Sequence, residues 1–92
     1  MSQMLVGIDV SLKSHHVQFM NGDGISLASF SVTNDQNGAD TLIKKMLVTA
    51  EKGQLNQIKV GMEAISYLGW HLAHYLREQL QGYEPDIQSH IY

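Results

Sequence analysis

Residues 4–10 (MLVGIDV) are apolar or glycine at every position but Asp9, and no other segment restricts the fold more. An apolar run this short, bounded by polar residues, reads as a strand buried on both faces, and such a strand lies inside a sheet with further elements on either side. The rest of the chain has to supply them. It is 92 residues long, with 43% hydrophobic and 16% charged side chains and one proline, enough for one core and not for two. Residues 1–92 are therefore expected to form a single domain. The absence of cysteine excludes a disulfide framework and a thiolate zinc site. No run reaches the roughly 18 apolar residues of a membrane span, and the first residues lack the pattern of an export signal. A soluble, cytoplasmic protein without membrane association is expected.

Further along, residues 16–20 alternate polar and apolar, and Asn21-Gly22-Asp23-Gly24 follows, a turn signal because Asn and Gly tolerate the positive φ of tight hairpins. The return strand, residues 25–32, changes its apolar phase between Leu27 and Ala28, as a β-bulge would make it do. Ala39, Leu42, Ile43, Met46, Leu47 and Ala50 then mark one face of a helix. Asn34 or Asn37 is expected to cap it and Gly53 to stop it. Ile58, Val60 and Met62 alternate as a fourth strand, residues 66–81 carry Leu68, Leu72, Leu76 and Leu80 at helical spacing, and residues 87–92 after Pro85 suit a fifth strand.

The order is thus β-β-β-α-β-α-(β). The hairpin sets strand two beside strand one, and a right-handed crossover through the first helix sets strand four parallel to strand one on its other side. The expected architecture is α/β, a mixed sheet flanked by helices with the layout of the ribonuclease H-like (RuvC-like) superfold.

Within this frame one short pattern occurs twice: Val6-Gly7-Ile8-Asp9 on the first strand and Val60-Gly61-Met62-Glu63 on the fourth. With period-two alternation, Gly7 and Asp9 share a face, as do Gly61 and Glu63, so each acid lies beyond a position without a side chain. On parallel neighbours both acids stand at carboxyl-terminal strand ends, where open α/β sheets place their ligands. Two buried carboxylates that close require compensation. A divalent cation with oxygen ligands, Mg²⁺ or Mn²⁺, supplies it, and such ions can clamp the oxygens of a phosphodiester. Asp9 and Glu63 are the candidate metal-binding and catalytic residues.

The segment from Val6 to His15, the Asn21-Gly22-Asp23-Gly24 turn, Val60-Gly61-Met62-Glu63-Ala64, and the aromatic stretch from Tyr67 to Glu78 closing with Gly82-Tyr83 together resemble the amino-terminal domain of the DEDD-type insertion-sequence transposases, relatives of the Piv-type DNA invertases. The resemblance covers nearly the whole chain. It implies a RuvC-like domain holding divalent metal through four acids (Asp, Glu, Asp, Asp), a separate carboxyl-terminal domain with a serine used in strand exchange, DNA as substrate, a structured guide RNA, and a homo-oligomer acting in the prokaryotic cytoplasm. The first acid falls on Asp9 and the second on Glu63; the last two lie beyond the fifth strand, and Asp86 precedes it. The resemblance therefore implies an amino-terminal fragment that does not catalyse recombination alone. His15 matches the family pattern and is the histidine expected near the acids.

Other residues weigh less. His71 and His74 lie three apart on a helix with no third ligand placed by the sequence; Ser11 and Lys13 suit a solvated loop better than a phosphate contact; Tyr67, Trp70 and Tyr75 suit a core or interface better than base stacking. Nine acidic against six basic residues, net −3, argue against a basic nucleic-acid patch within this chain. Two alternative functions remain open at this point: the phosphate-binding first piece of an actin-like or sugar-kinase ATPase, and a non-catalytic module that dimerises through its unfinished sheet edge and its helices.

Overall fold

The computed structural model describes residues 3–64, 70–83 and 86–91. Strands β1 (Gln3–Val10), β2 (Ser14–Asn21) and β3 (Ser26–Thr33) lead into helix α1 (Gln36–Lys52), strand β4 (Gln57–Ala64), helix α2 (Trp70–Gln79), a single 3₁₀ turn at Gln81–Tyr83 and strand β5 (Asp86–Ile91). The five strands form one sheet in the order β3-β2-β1-β4-β5. β1, β2 and β3 pair antiparallel, whereas β4 lies parallel to β1 and β5 parallel to β4. This is the ribonuclease H-like arrangement the order of elements requires.

The hairpin turn forms because Asn21 serves it twice. Its carbonyl accepts the Gly24 N–H at 3.0 Å, and its side-chain oxygen accepts the N–H groups of Asp23 and Ile25 at 2.9 and 3.0 Å; Gly24 supplies the positive φ, 82°. The expected bulge is present. Phe19 pairs with Ala28 but Met20 with Ser26, so Leu27 is the extra residue and the apolar phase of β3 changes there.

Among the described side chains, the fully buried ones of the sheet lie on one of its faces. Met4, Val6, Ile8, Val10, Val17, Phe19, Val32, Ile58, Val60 and Met62 meet Leu42, Ile43, Met46 and Ala50 of α1 and Leu72, Ala73 and Leu76 of α2. Here β1 departs from the expectation drawn from its sequence: it is buried on one face only, with Leu5 half-buried and Gly7 and Asp9 exposed on the other. Both helices cover the same face, and no described element covers the opposite one.

Helix α1 is capped by Asp35, not by Asn34 or Asn37. The Asp35 carboxylate accepts the Gly38 N–H at 2.8 Å and the Thr33 hydroxyl at 2.7 Å, both of which hold its pKa below the usual carboxylate range. At the other end Gly53 stops the helix as expected but keeps a right-handed φ; the left-handed residue is Gln54, φ 53°. α2 is tied to α1 by a polar knot in which Tyr75 donates to Asp40 at 2.5 Å and Gln36 donates to both Asp40 and Tyr75 at 2.9 and 3.0 Å. The bond to the Asp40 carboxylate raises the Tyr75 pKa. The start expected for this helix, Ser66, lies outside the described residues.

Candidate functional site

The parallel register of β1 and β4 sets Gly7 beside Gly61 and Asp9 beside Glu63. Adjacent strands run about 4.8 Å apart and matched residues point to the same side, so the two carboxylates are side by side on the face away from the helices. They stand one residue before the strand ends at Val10 and Ala64. A Cβ added at Gly7 or Gly61 would meet nothing within 4 Å, which leaves an open floor next to both acids. Among the described residues neither carboxylate has a hydrogen-bond or ion-pair partner.

The sequence pattern predicts buried acids; both are exposed. The polar face of the sheet carries no cover among the described residues, so desolvation contributes nothing to the case for a cation. Adjacency does. Two like charges one strand spacing apart repel by under about 1 kcal/mol in water, which an exposed pair sustains; both acids stand on the same open face, matched in register, with no cation from the described residues paired to either.

The two neighbouring histidines part company. His16 pairs in register with Asp9 and is exposed on the carboxylate face, where its Nε2 lies 3.4 Å from the Ser29 hydroxyl. Beyond Glu63, His90 occupies the matching register position on β5. His15, the one expected near the acids, is on the core face and 3% exposed. The cause is parity: an odd number of residues along β2 separates the two faces, and Asp9 pairs with His16. Finding His16 from sequence requires the hairpin register.

His15 instead fastens the loop that leaves Asp9. Its Nδ1 accepts the Ser11 N–H at 3.2 Å, which puts the ring proton on Nε2, 3.1 Å from the Asn34 side-chain oxygen. Asn34 in turn donates to the carbonyls of Leu12 and Lys13, each at 3.0 Å. Burial pushes the His15 pKa below its ordinary value, and the bond to Asn34 opposes this only in part. A histidine depressed in the folded state keeps its full contribution above the unfolded pKa of about 6.5 and loses it as pH falls below that value, where the unfolded chain takes up the proton first. Thermal unfolding followed from pH 8 to pH 5 should therefore show Tm falling below about pH 6.5, and a His15→Gln variant should show a flatter profile through that window. An equally steep profile in the variant would remove His15 as the cause.

The remaining sequence candidates fall elsewhere. The Ser11 hydroxyl donates to the Ser14 carbonyl and Lys13 is exposed in the same loop. Tyr75 uses its hydroxyl to join the helices. His74 pairs with Glu78 at 3.1 Å, one helical turn on. Tyr67 lies outside the described residues, as do the side chains of Trp70, His71 and Asp86. Among the described residues no three ligating side chains come together around a metal position, and no helix is long and apolar enough to cross a membrane.

A pair of carboxylates without partners among the described residues, over an open floor, fits a hard divalent cation that takes a few protein oxygens and fills its other positions with water and phosphate. It does not fit a closed structural zinc site, which needs four nitrogen or sulfur ligands.

Comparison with solved structures agrees on the fold. The chain is similar to the Ppx/GppA family member of Aquifex aeolicus (7% identity, 99% of this chain, 36% of that one, TM-score 0.54) and to an exopolyphosphatase from Cytophaga hutchinsonii (12%, 97% and 34%, 0.56). It is similar as well to the foamy viral protease-reverse transcriptase dRH solved in complex with double-stranded DNA (15%, 99% and 20%, 0.52). At these identities the likeness is one of fold alone, and the chain spans about a third or less of each of those proteins. No curated protein sequence matches it. A family model described as a transposase matches residues 6–84, a span that takes in both carboxylates, and the chain belongs to this IS110-type DEDD transposase family.

Proposed function

We propose that this chain contributes the first two acids, Asp9 and Glu63, of the divalent-metal site with which an intact transposase cleaves and transfers DNA strands during insertion-sequence transposition. The observation that carries the reading is the register: two carboxylates, matched on adjacent parallel strands, share one open face. Bound Mg²⁺ or Mn²⁺ would polarise the phosphodiester and stabilise the charge that develops on its oxygens. Asp9 and Glu63 would hold the ion, and Gly7 and Gly61, where an added Cβ would meet nothing within 4 Å, would leave room beside it for a phosphate backbone. The His15–Asn34 clasp holds the loop that follows Asp9 in one shape. Two acids are a partial ligand set, so catalysis belongs to the intact protein, as do the DNA substrate, the guide RNA, the homo-oligomer and the cytoplasmic setting that complete the proposal.

The net charge of −3 is compatible with this reading, since the acids of the site meet nucleic acid through a cation and not directly. Lys44 and Lys45 are on α1, across the sheet from the carboxylates. The actin-like alternative needs a β1–β2 loop that offers free donors to phosphate. Here the Ser11 N–H and hydroxyl are both engaged within the loop, which favours the transposase reading.

Manganese tests the site directly. Adding Mn²⁺ to the isotopically labelled chain should broaden the amide resonances around Asp9 and Glu63 before any others, and an Asp9→Asn/Glu63→Gln double variant should lose that selectivity. Uniform broadening, or the same pattern in the double variant, would overturn the assignment.

A further inference from the structure

Strand β3 ends the sheet, and its sequence does nothing to protect that edge. From Gly24 to Asn34 there is neither a charged residue nor a proline, the two devices that most often stop an edge strand from pairing with another chain. The bulge at Leu27 blunts the hairpin end only. Residues 28–33 run regularly against β2 and leave a row of backbone donors and acceptors facing outwards. Beside the bulge, Ile25 is 60% and Leu27 42% exposed.

We propose that this edge pairs antiparallel with the same edge of a second copy of the chain, making one continuous sheet of twice the five strands. Charge selects the second copy as the occupant. A chain of net charge −3 repels its own kind on balance, and the facing strands of this edge carry no charged side chain of their own to oppose, although Lys45 of α1 stands over β3 with its Nζ 5.0 Å from the Phe30 ring centroid. The pleat agrees with itself as well. A two-fold axis perpendicular to the sheet requires matched residues to share a face, which centres the pairing on a residue, Phe30 or Ser31, and not between two. With the axis at Phe30, Ser29 faces Ser31 of the second copy and Ala28 faces Val32; with the axis at Ser31, Ser29 faces Thr33 and Phe30 faces Val32. Either way hydroxyls meet hydroxyls on the exposed face and apolar groups meet on the helix face, where Phe30 already packs edge-on against Phe19 at 5.1 Å.

The arrangement has a consequence for the carboxylates. Both pairs come to lie on the same side of the joined sheet, separated across the strands by six inter-strand spacings, about 29 Å. The interface stands whether or not Asp9 and Glu63 bind metal, so its test is independent of that assignment.

Sedimentation of the 92-residue chain should show a concentration-dependent rise from 10.3 kDa to twice that mass. A Ser29→Lys/Ser31→Lys variant, with circular dichroism and Tm close to those of the parent, should stay monomeric. The absence of cysteine allows a second measurement: Ser31→Cys alone, or Ser29→Cys mixed with Ser31→Cys, should cross-link on oxidation at least tenfold faster than Gln18→Cys, which is exposed on the same face but on β2. A parent chain that remains monomeric, a lysine variant that still dimerises, or equal cross-linking at all three positions would each overturn the interface.

Discussion

Asp9→Asn and Glu63→Gln, each made in the intact transposase, should lower DNA strand cleavage by about 1,000-fold while leaving Tm unchanged or slightly raised. Each change keeps the shape of the side chain and removes one anionic ligand. If the ion supplies several kcal/mol of transition-state stabilisation, about 4 kcal/mol lost corresponds to that factor. Stability moves the other way. Neither carboxylate has a partner among the described residues, and the two sit directly beside each other on adjacent strands; relieving a like-charge pair in that position stabilises by a few tenths of a kcal/mol. The two effects having opposite sign is what separates a ligand from a structural acid, because an acid that held the fold would lose both activity and Tm. The double variant should be scarcely worse than either single one, since two ligands of one ion act as a unit. Cleavage within tenfold of the parent in either single variant would end the assignment. Unfolding in either would also end it, by showing that the acid serves the fold.

Much of this site is legible in the order of residues alone. The repeated apolar-Gly-apolar-acid pattern places Asp9 and Glu63 on strands, and the crossover rule makes those strands parallel neighbours; together they imply matched register, which the sheet has. Cover and parity are what the sequence conceals. An apolar run such as residues 4–10 gives no sign of whether both faces are packed, because Leu5 and Gly7 are as compatible with an exposed strip as with a buried one; hence burial is the natural expectation for the acids, and the sheet leaves them exposed. Which of His15 and His16 faces Asp9 depends on the residues spent in the β1–β2 loop, a number that periodicity leaves uncertain by one. The cap shows the same limit. Asn34, Asp35 and Asn37 all have side chains able to cap a helix, and the choice of Asp35 follows from the Thr33 hydroxyl, which donates to the same carboxylate. Asn34 is meanwhile occupied with His15 and the loop.

Gly38→Ala should destabilise the domain by about 3 kcal/mol or more, a fall in Tm on the order of 15 °C for a chain of this size. Helix propensity alone points the other way, since alanine in a helix is favoured over glycine by up to about 1 kcal/mol. Close approach decides it. A Cβ on Gly38 would stand 1.8 Å from the Thr33 carbonyl oxygen, 2.7 Å from its carbon and 2.9 Å from its nitrogen. All three are backbone atoms, so no rotamer change relieves the overlap. Thr33 is itself fixed, paired with Ser14 across the sheet and bonded through its hydroxyl to the Asp35 cap, and the Gly38 N–H donates to that same carboxylate. The first turn of α1 would have to lift off β3, loosening the cap and drawing Leu42 and Met46 away from the sheet. Gly7→Ala supplies the contrast, because an added Cβ there meets nothing within 4 Å and a strand interior favours alanine over glycine. Its Tm should hold or rise. Thermal denaturation of the two variants side by side therefore separates a glycine required by packing from one that merely keeps a surface open, and a Gly38→Ala protein as stable as the parent would show that α1 is free to move away from β3.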